Sequence, residues 1–367
     1  MQKIKVILKF ILNIVRRFIL AIKYTIKYSS YKSPSYFSEL KQKTELSIYF
    51  DQLKHILKYG EINQFYYLYG LDISGRNFEK EGYIAYNKFM ELRNKRNYKS
   101  TWNSYVCLLR DKSLFAIIAN NFKFPCSQNI GNLKNDESVL LNNGDVKTIF
   151  EVLEKYKDIF CKPFDSECGE GIFCLGKTEN GFTLNDILTT KDEIVKFIHS
   201  LKTEIIIQNR IIQHTEMNNL YKSSINTLRI ITIRNNKTGI VEHLHSLLRI
   251  GANGNVVDNW AKGGIAIGID TIGRLSEYGF YKPQYGLKTS THPNSGIIFK
   301  DFIVPYYEDA VKMCIEFHET LKYIDAIGWD VAITPDGPCF IEGNDNFEIS
   351  LHQAYGGLRK QFESKLK

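Results

Sequence analysis

What is missing narrows this chain first. Its seven cysteines (107, 126, 161, 168, 174, 314 and 339) contain no CxxC pair. That removes a zinc ribbon and a disulfide framework, and it fits a reducing cytosol. The eight histidines contain no HExxH spacing, and no GxxxxGKS/T occurs, so neither a zincin helix nor a P-loop is present. In the N-terminal segment the longest unbroken apolar run is Phe18 to Ile22, too short to span a bilayer or to serve as a signal-peptide core. Acid is absent from residues 1–28, which carry seven Lys/Arg. The rest of the chain is close to neutral, so the net charge of +8 sits in that one segment. A general nucleic-acid footprint is therefore lacking.

What is present reads as an ordinary globular protein. The 367 residues suffice for two or three domains, and 44% hydrophobic with 24% charged residues is typical of that class. Residues 1–28 have helical periodicity. Lys5, Lys9, Asn13, Arg16 and Arg17 share a narrow face and isoleucine, leucine and phenylalanine cover the remainder. Such a helix can lie in the headgroup plane of an anionic membrane, or it can dock on the protein's own core with its lysines outward.

From 32 to 99 the pattern reads as mostly helical and rich in Tyr and Phe. Further on, 113–121, 146–156, 189–201 and 307–322 read as helices, and 126–144 as a polar loop. Residues 158–162, 172–175, 204–208, 227–234 and 241–250 read as strands. Without a regular βαβ alternation, the expected class is α+β.

The most telling stretch lies near the C-terminus. Gly328-Trp329-Asp330 and Val331–Thr334 lead through Pro335-Asp336-Gly337-Pro338 to Cys339-Phe340-Ile341 and Glu342-Gly343-Asn344. Two apolar runs around Pro-Asp-Gly predict a β-hairpin. A turn centred on Asp336 sets Asp330 opposite Glu342, with Asn344 on the same face. Facing carboxylates repel by about 3 kcal/mol at ~5 Å and an effective dielectric of ~20. A divalent cation reverses that sign, and oxygen-only donors suit Mg²⁺. Alternatively, the acids of a solvated hairpin simply face water.

A second candidate is the loop 162–172, where Lys162 precedes Ser166, Gly169 and Gly171. Small residues leave backbone N–H groups open to phosphate oxygens, and a lysine at the base contacts phosphate as a point charge. Several lone residues have structural alternatives. Arg229 could serve an ion pair, and His292 a turn. His243 and His245 are expected to line one sheet face. His352 and Arg359 could meet an acceptor or cap a helix.

Taken in order, these parts resemble the ATP-grasp superfamily, and within it the sugar-transfer-associated ATP-grasp proteins. Asp111-Lys112 resembles the first nucleotide lysine, and Phe160-Cys161-Lys162-Pro163 with its glycine loop the second lysine and phosphate cover. Ile205–Gln208 is similar to the hinge strand that holds adenine. Gln213-His214, Asn226-Thr227-Leu228-Arg229, Asn259-Trp260-Ala261-Lys262-Gly263-Gly264 and His292-Pro293 resemble the subgroup's further segments. The likeness covers about residues 105–360. It departs at Gln208, where many relatives carry Glu, and at Gly328, where an Arg is frequent.

The resemblance implies an ATP-grasp fold in which two α+β subdomains sandwich ATP. The expected divisions are a basic amphipathic helix (1–30), a helical region (31–104), a subdomain with the phosphate loop (105–222) and one with the metal site (223–367). ATP contacts would come from Lys112, Lys162, Ser166, Gly169, Gly171, Gln208, Ile211 and His214. Arg229, Lys262 and Arg249 would act in catalysis, and Asp330, Glu342 and Asn344 would hold Mg²⁺. The implied activity is carboxylate–amine ligation through an acyl phosphate, joining an amino acid or other amine to a sugar carboxylate or lipid-linked glycan in capsule or other surface-polysaccharide synthesis. The expected location is the cytoplasm, peripheral on the inner membrane if residues 1–28, which lie outside the resemblance, bind lipid and do not dock on the protein. An ATP-grasp sugar kinase and a non-catalytic membrane-docked scaffold are the alternatives.

Overall fold

A computed structural model describes residues 2–98, 105–163, 171–255 and 257–366. Among these the strands form two antiparallel sheets. The first contains β1 (Asn129–Leu133), β2 (Ser138–Leu141), β3 (Val146–Thr148), β4 (Asp158–Pro163), β5 (Phe173–Thr178), β6 (Gly181–Leu184), β7 (Ile187–Thr189) and β8 (Ile205–Asn209), in the order β3-β2-β1-β8-β4-β5-β6-β7. The second contains β9 (Thr227–Arg234), β10 (Val241–Ile250), β11 (Ile265–Ile269), β12 (Leu275–Phe280), β13 (Lys288–Thr289), β14 (Ala326–Thr334) and β15 (Gly337–Asn344), in the order β13-β12-β11-β10-β9-β14-β15. Ten helices accompany them among the described residues: α1 (Gln2–Ile26), α2 (Glu45–Tyr59), α3 (Tyr86–Asn97), α4 (Cys107–Arg110), α5 (Lys112–Asn121), α6 (Ile149–Tyr156), α7 (Lys191–His199), α8 (Thr215–Leu220), α9 (Tyr307–Thr320) and α10 (Arg359–Leu366). The α+β class stands.

Alternation along the strands gives each sheet two different faces. On β4 and β8, Ile159, Cys161, Ile205 and Ile207 pack with Val152, Leu153, Ile194 and Ile198 of α6 and α7. Phe160, Lys162, Ile206 and Gln208 therefore line the opposite face. Both helices begin with capping boxes, Thr148 with Glu151 and Thr190 with Glu193, which fixes how they enter against the sheet.

On the second sheet Leu228, Ile230, Ile327, Trp329, Val331 and Phe340 form a core with Ala310, Cys314 and Phe317 of α9. Trp329 Nε1 donates to Thr232 Oγ1 at 2.8 Å, and that hydroxyl meets His318 Nδ1 at 2.7 Å. His318 Nε2 lies 2.9 Å from the Ile324 carbonyl. Burial drives the His318 pKa down to about 3, so the ring is neutral, donating from Nε2 and accepting at Nδ1. This closed network fixes β9 against β14, and the next residues along, Arg229 and Asp330, face the other way.

Three expectations change. The polar loop at 126–144 contains β1 and β2, whose pairing hides in a polar, asparagine-rich sequence. The helix expected from 146 starts at Ile149, because Thr148 caps it and the preceding residues pair as β3. Residues 60–85 are mostly turns, not helix; their Tyr and Phe rings pack into a cluster with Tyr36 and Phe280.

Candidate functional site

The hairpin β14–β15 forms with Asp330 opposite Glu342, as the spacing predicts, but for a different reason. The turn is tighter than assumed, with Thr334 opposite Gly337, and that register alone would set Asp330 against Ile341. A bulge at Ile341 inserts the extra residue and brings Glu342 into line. On its other side Asp330 pairs with Arg229 of β9. Glu342, Asp330 and Arg229 thus form a row across three strands. Asn344 joins the acid end, its Nδ2 donating to Glu342 Oε1 at 3.2 Å, which leaves its carbonyl oxygen available.

Asp330 is held by two arginines. Arg229 donates through Nε and Nη2 at 2.5 and 3.0 Å, and Arg249 through Nη2 at 3.0 Å. Burial alone would raise the Asp330 pKa, but the two guanidiniums outweigh it and hold the carboxyl below its usual range. Arg249 also reaches Thr227 Oγ1, at 2.9 and 3.1 Å, and Asp258 at 3.4 Å.

Lys162 is 5% exposed on the open face of the first sheet. Burial, then the charge of Lys112, push its pKa down to about 8, against an opposing pull from Glu342. Lys162 of the first sheet, Lys112 of α5 and Glu342 of the second sheet therefore share one electrostatic neighbourhood. The sheets are tied beside it: Phe340 N donates to Pro125 O at 2.9 Å, Ser127 N to Phe340 O at 3.0 Å and His214 N to Ile333 O at 2.8 Å. Lys112 opens α5, whose N-cap is Asp111.

The other expected positions fall as follows. Ser166 and Gly169 lie outside the described residues. Gly171 has φ +69°, and a Cβ there would meet Pro163 Cγ at 2.8 Å, so glycine is required where the loop returns to β5. Gln208 is buried and donates to Asn129 Oδ1 at 2.6 Å, joining β8 to β1. Ile211 follows β8, partly buried. His214 caps α8, its Nδ1 accepting from Glu216 N at 3.2 Å. Lys262 ends the short turn Trp260–Lys262, partly buried. The missing arginine at 328 has a steric cause. A Cβ on Gly328 would lie 2.6 Å from Phe347 Cβ, so this position, opposite Asn344, admits no side chain as built.

His243 and His245 do not share a face. A bulge at Leu244 flips the alternation, so His243 pairs with Thr232 and His245 with Ile231. His245 therefore looks the same way as Arg229, and its Nδ1 lies 3.0 Å from His352 Nδ1. Burial holds both rings neutral, His245 at about 4 and His352 well below its ordinary range, with Arg229 and Arg249 adding to the depression at His352. Arg359, by contrast, ties Tyr83 O to Glu79, far from the acids in role. Sequence reasoning missed Asp258 and Asp345 altogether, and named Thr227 only as part of the Asn226–Arg229 stretch, with no role of its own. Only the closeness of Asp345 to the Glu-Gly-Asn segment could have flagged one of them.

Hard-oxygen donors suit Mg²⁺ here: the Glu342 carboxylate, the Asn344 carbonyl and the Asp330 site not taken by arginine. Among the described residues no three His, Cys, Asp or Glu side chains form a metal cluster, so this set depends on the Asn344 amide and on phosphate oxygens.

A family model described as sugar-transfer associated ATP-grasp matches residues 93–364. No curated protein matches the chain. Similar solved structures include N5-carboxyaminoimidazole ribonucleotide synthetase from Thermotoga maritima, at 10% identity and TM-score 0.39, covering 71% of this chain and 49% of that one. D-alanine–D-alanine ligase from Bacillus anthracis complexed with ATP matches at 13% identity and TM-score 0.36, covering 71% and 66%. A RiPP-associated ATP-grasp ligase from Chryseobacterium gregarium, in complex with ADP and a leader and core peptide, matches at 13% identity and TM-score 0.39, covering 76% and 65%. The chain spans about half the length of the synthetase. The family match, not these distant likenesses, carries the assignment.

Proposed function

Because the chain belongs to the sugar-transfer associated ATP-grasp family, we propose that it is an ATP-dependent carboxylate–amine ligase acting on a sugar carboxylate and an amino acid or other amine in surface-polysaccharide synthesis. The observation that supports this best is the Glu342–Asp330–Arg229 row, together with the electrostatic influence of Glu342 and of Lys112 on Lys162. Lys162 would face the phosphates from the first sheet, and Lys112 of α5 and the hard-oxygen donors from the side of the second, against which α5 packs.

In this reading ATP lies between the sheets under the loop that ends at Gly171. Lys112 and Lys162 offset phosphate charge. Glu342, Asn344 and Asp330 would hold Mg²⁺, which supplies charge neutralisation across the phosphates when bound. A substrate carboxylate oxygen attacks the γ-phosphorus, the bond to the β-phosphate oxygen breaks, and ADP leaves. The amine nitrogen then attacks the acyl carbon, phosphate departs with the bonding pair, the nitrogen gives up one proton to that phosphate, and an amide remains. Arg229 and Arg249 face the transferring group, and positioning with electrostatics does the rest. No enzyme nucleophile is needed. An acceptor carried on a lipid-linked glycan would place this chemistry at the inner leaflet.

The test is ADP release across panels of uronic sugars and amino acids, with hydroxylamine as a general amine. Asp330→Asn and Glu342→Gln are expected to lower turnover at least a hundredfold, and near-normal turnover in either refutes the assignment. ADP formed with a sugar and no amine would mark a kinase. The arginine grip on both Asp330 oxygens favours a second reading, a non-catalytic scaffold, which failure to bind MgADP in calorimetry would support.

A further inference from the structure

The acid–lysine site makes no use of α1, yet this helix carries the most unusual surface of the molecule. Its C-terminal half is docked. Ala21 and Tyr24 are buried against Ile56 of α2, and Arg17 Nη1 donates to the Leu57 and Lys58 carbonyls, at 2.9 and 2.8 Å, capping the last turn of α2. Arg17 therefore leaves the basic face to which periodicity assigns it.

The opposite side is uncovered. Leu8, Ile11, Val15, Phe18, Ile19 and Ile22 follow a 3–4 spacing and are each 47–60% exposed. Arg16 and Lys23 are exposed on the same helix, along the border between this stripe and the docked side, and Lys27 is exposed just past its end.

We propose that α1 lies in the plane of an anionic bilayer on this stripe and holds the enzyme body at the membrane through its fixed dock on α2. The physical case is independent of the ligase reading. An apolar stripe this continuous seeks cover, and the docked side shows that the protein's own core is not that cover. A second copy would set two acid-free basic segments against each other, a repulsion that anionic headgroups turn into attraction. No helix among the described residues is long and apolar enough to cross a membrane, so the contact is in-plane.

The test uses the full chain with phosphatidylcholine vesicles, with and without about a third phosphatidylglycerol. Flotation with the anionic vesicles is expected, at least tenfold above neutral ones and weakening with salt. The double variant Ile11→Asp/Phe18→Asp should lose flotation at least tenfold while keeping its circular dichroism and its MgADP affinity. A charge variant, Arg16→Gln/Lys23→Gln/Lys27→Gln, should lose only the preference for anionic lipid. Equal flotation of wild type and the aspartate variant overturns the proposal. So does a wild type that stays off vesicles and runs as a dimer which the aspartate variant splits, since the stripe would then cover a second copy. MgADP affinity reports on the nucleotide site in every arm, so either idea can fail without the other.

Discussion

Lys162 is a cation kept almost out of water with a second cation beside it, and that makes its behaviour opposite in the empty and the occupied protein. Its pKa of about 8 lies below the ordinary lysine value. Between about pH 8 and 10.5 the unfolded chain binds a proton there that the folded chain does not, so the contribution of Lys162 to stability rises with pH across that window. The shift corresponds to a few kcal/mol at most, about 3. Nucleotide binding runs the other way. Phosphate oxygens favour the charged lysine, so MgADP affinity should be highest below pH 8 and fall as pH rises through it. Calorimetry from about pH 7 to 9.5 should show tighter binding at the acid end, with proton uptake near pH 8. In Lys162→Met both trends should flatten: the variant gains relative stability at neutral pH and loses the pH dependence of affinity. Affinity that stays pH-independent in the wild type would show that Lys162 does not face phosphate. Gly328 offers a second residue-scale contrast. Restoring an arginine there should destabilise rather than activate, because its Cβ has only 2.6 Å to Phe347 Cβ.

At the scale of elements, the strand that carries Glu342 and Asn344 is finished by a clamp from outside the sheet. Asp345, next to Asn344 and 2% exposed, takes a two-pronged contact from Arg110 of α4, through Nε at 2.9 Å and Nη2 at 2.7 Å, and a hydrogen bond from Tyr98 at 2.5 Å. Asn97 donates to Ala326 O and Asp345 O and accepts from Asp325 N and Ala326 N, so one side chain at the end of α3 spans both ends of the hairpin. Arg93 donates to the Phe347 carbonyl and, at 2.5 Å, to Asn346 Oδ1. These contacts hold the backbone just past Asn344, so their expected effect on that residue is positional. Arg110→Met should raise the Mg²⁺ concentration needed for half-maximal nucleotide binding by about 10-fold, within the range of outer-shell losses. Arg110→Lys should recover part of that loss. A drop in melting temperature without a change in Mg²⁺ requirement would reduce the clamp to fold stability. This scale also marks where the sequence is readable. The facing acids are legible because both lie on one hairpin. The Arg229–Asp330 contact is not, since it depends on β9 pairing with a strand about a hundred residues away. His243 and His245 do not share the face that their spacing predicts, because a bulge at Leu244 leaves no mark in the apolar pattern, whereas the bulge at Ile341 restores the expected pairing. The strands β1 and β2 escaped notice because their polar side chains face away from a narrow core.

For the molecule as a whole, the helical region that leads into the family match is part of the second sheet's packing, not an appendage. Phe89 and Arg93 are fully buried, and Phe89 packs with Ile231, Phe347 and Phe362. Tyr36 OH donates to Tyr281 O at 2.8 Å, and Tyr69 OH to Ser350 O at 3.1 Å. Gln353 joins Ile84 from both sides, accepting from its N–H at 2.8 Å and donating to its carbonyl at 3.0 Å. Residues 28–98 therefore close the face on which Asp330 and Arg229 sit, at the end away from the hairpin tip. Helix α1 touches this body chiefly through α2. Two truncations should separate the roles. Removing residues 1–27 uncovers Ile56 and the partly buried Tyr49, Leu53 and Ile62, a small cluster apart from the two sheets, so the product should stay folded, bind MgADP and melt a few degrees lower. Removing residues 1–98 strips the buried partners of β9 and β14. A single Phe→Ala change at a fully buried site costs about 3–5 kcal/mol, against about 5–15 kcal/mol for a whole domain. The longer truncation should therefore be insoluble or molten, and Phe89→Ala alone should lower unfolding free energy by about 3–5 kcal/mol in urea titration. A 99–367 fragment that folds cooperatively and binds MgADP as the full chain does would show that the nucleotide site needs none of this packing, and the helical region would then be a separate module.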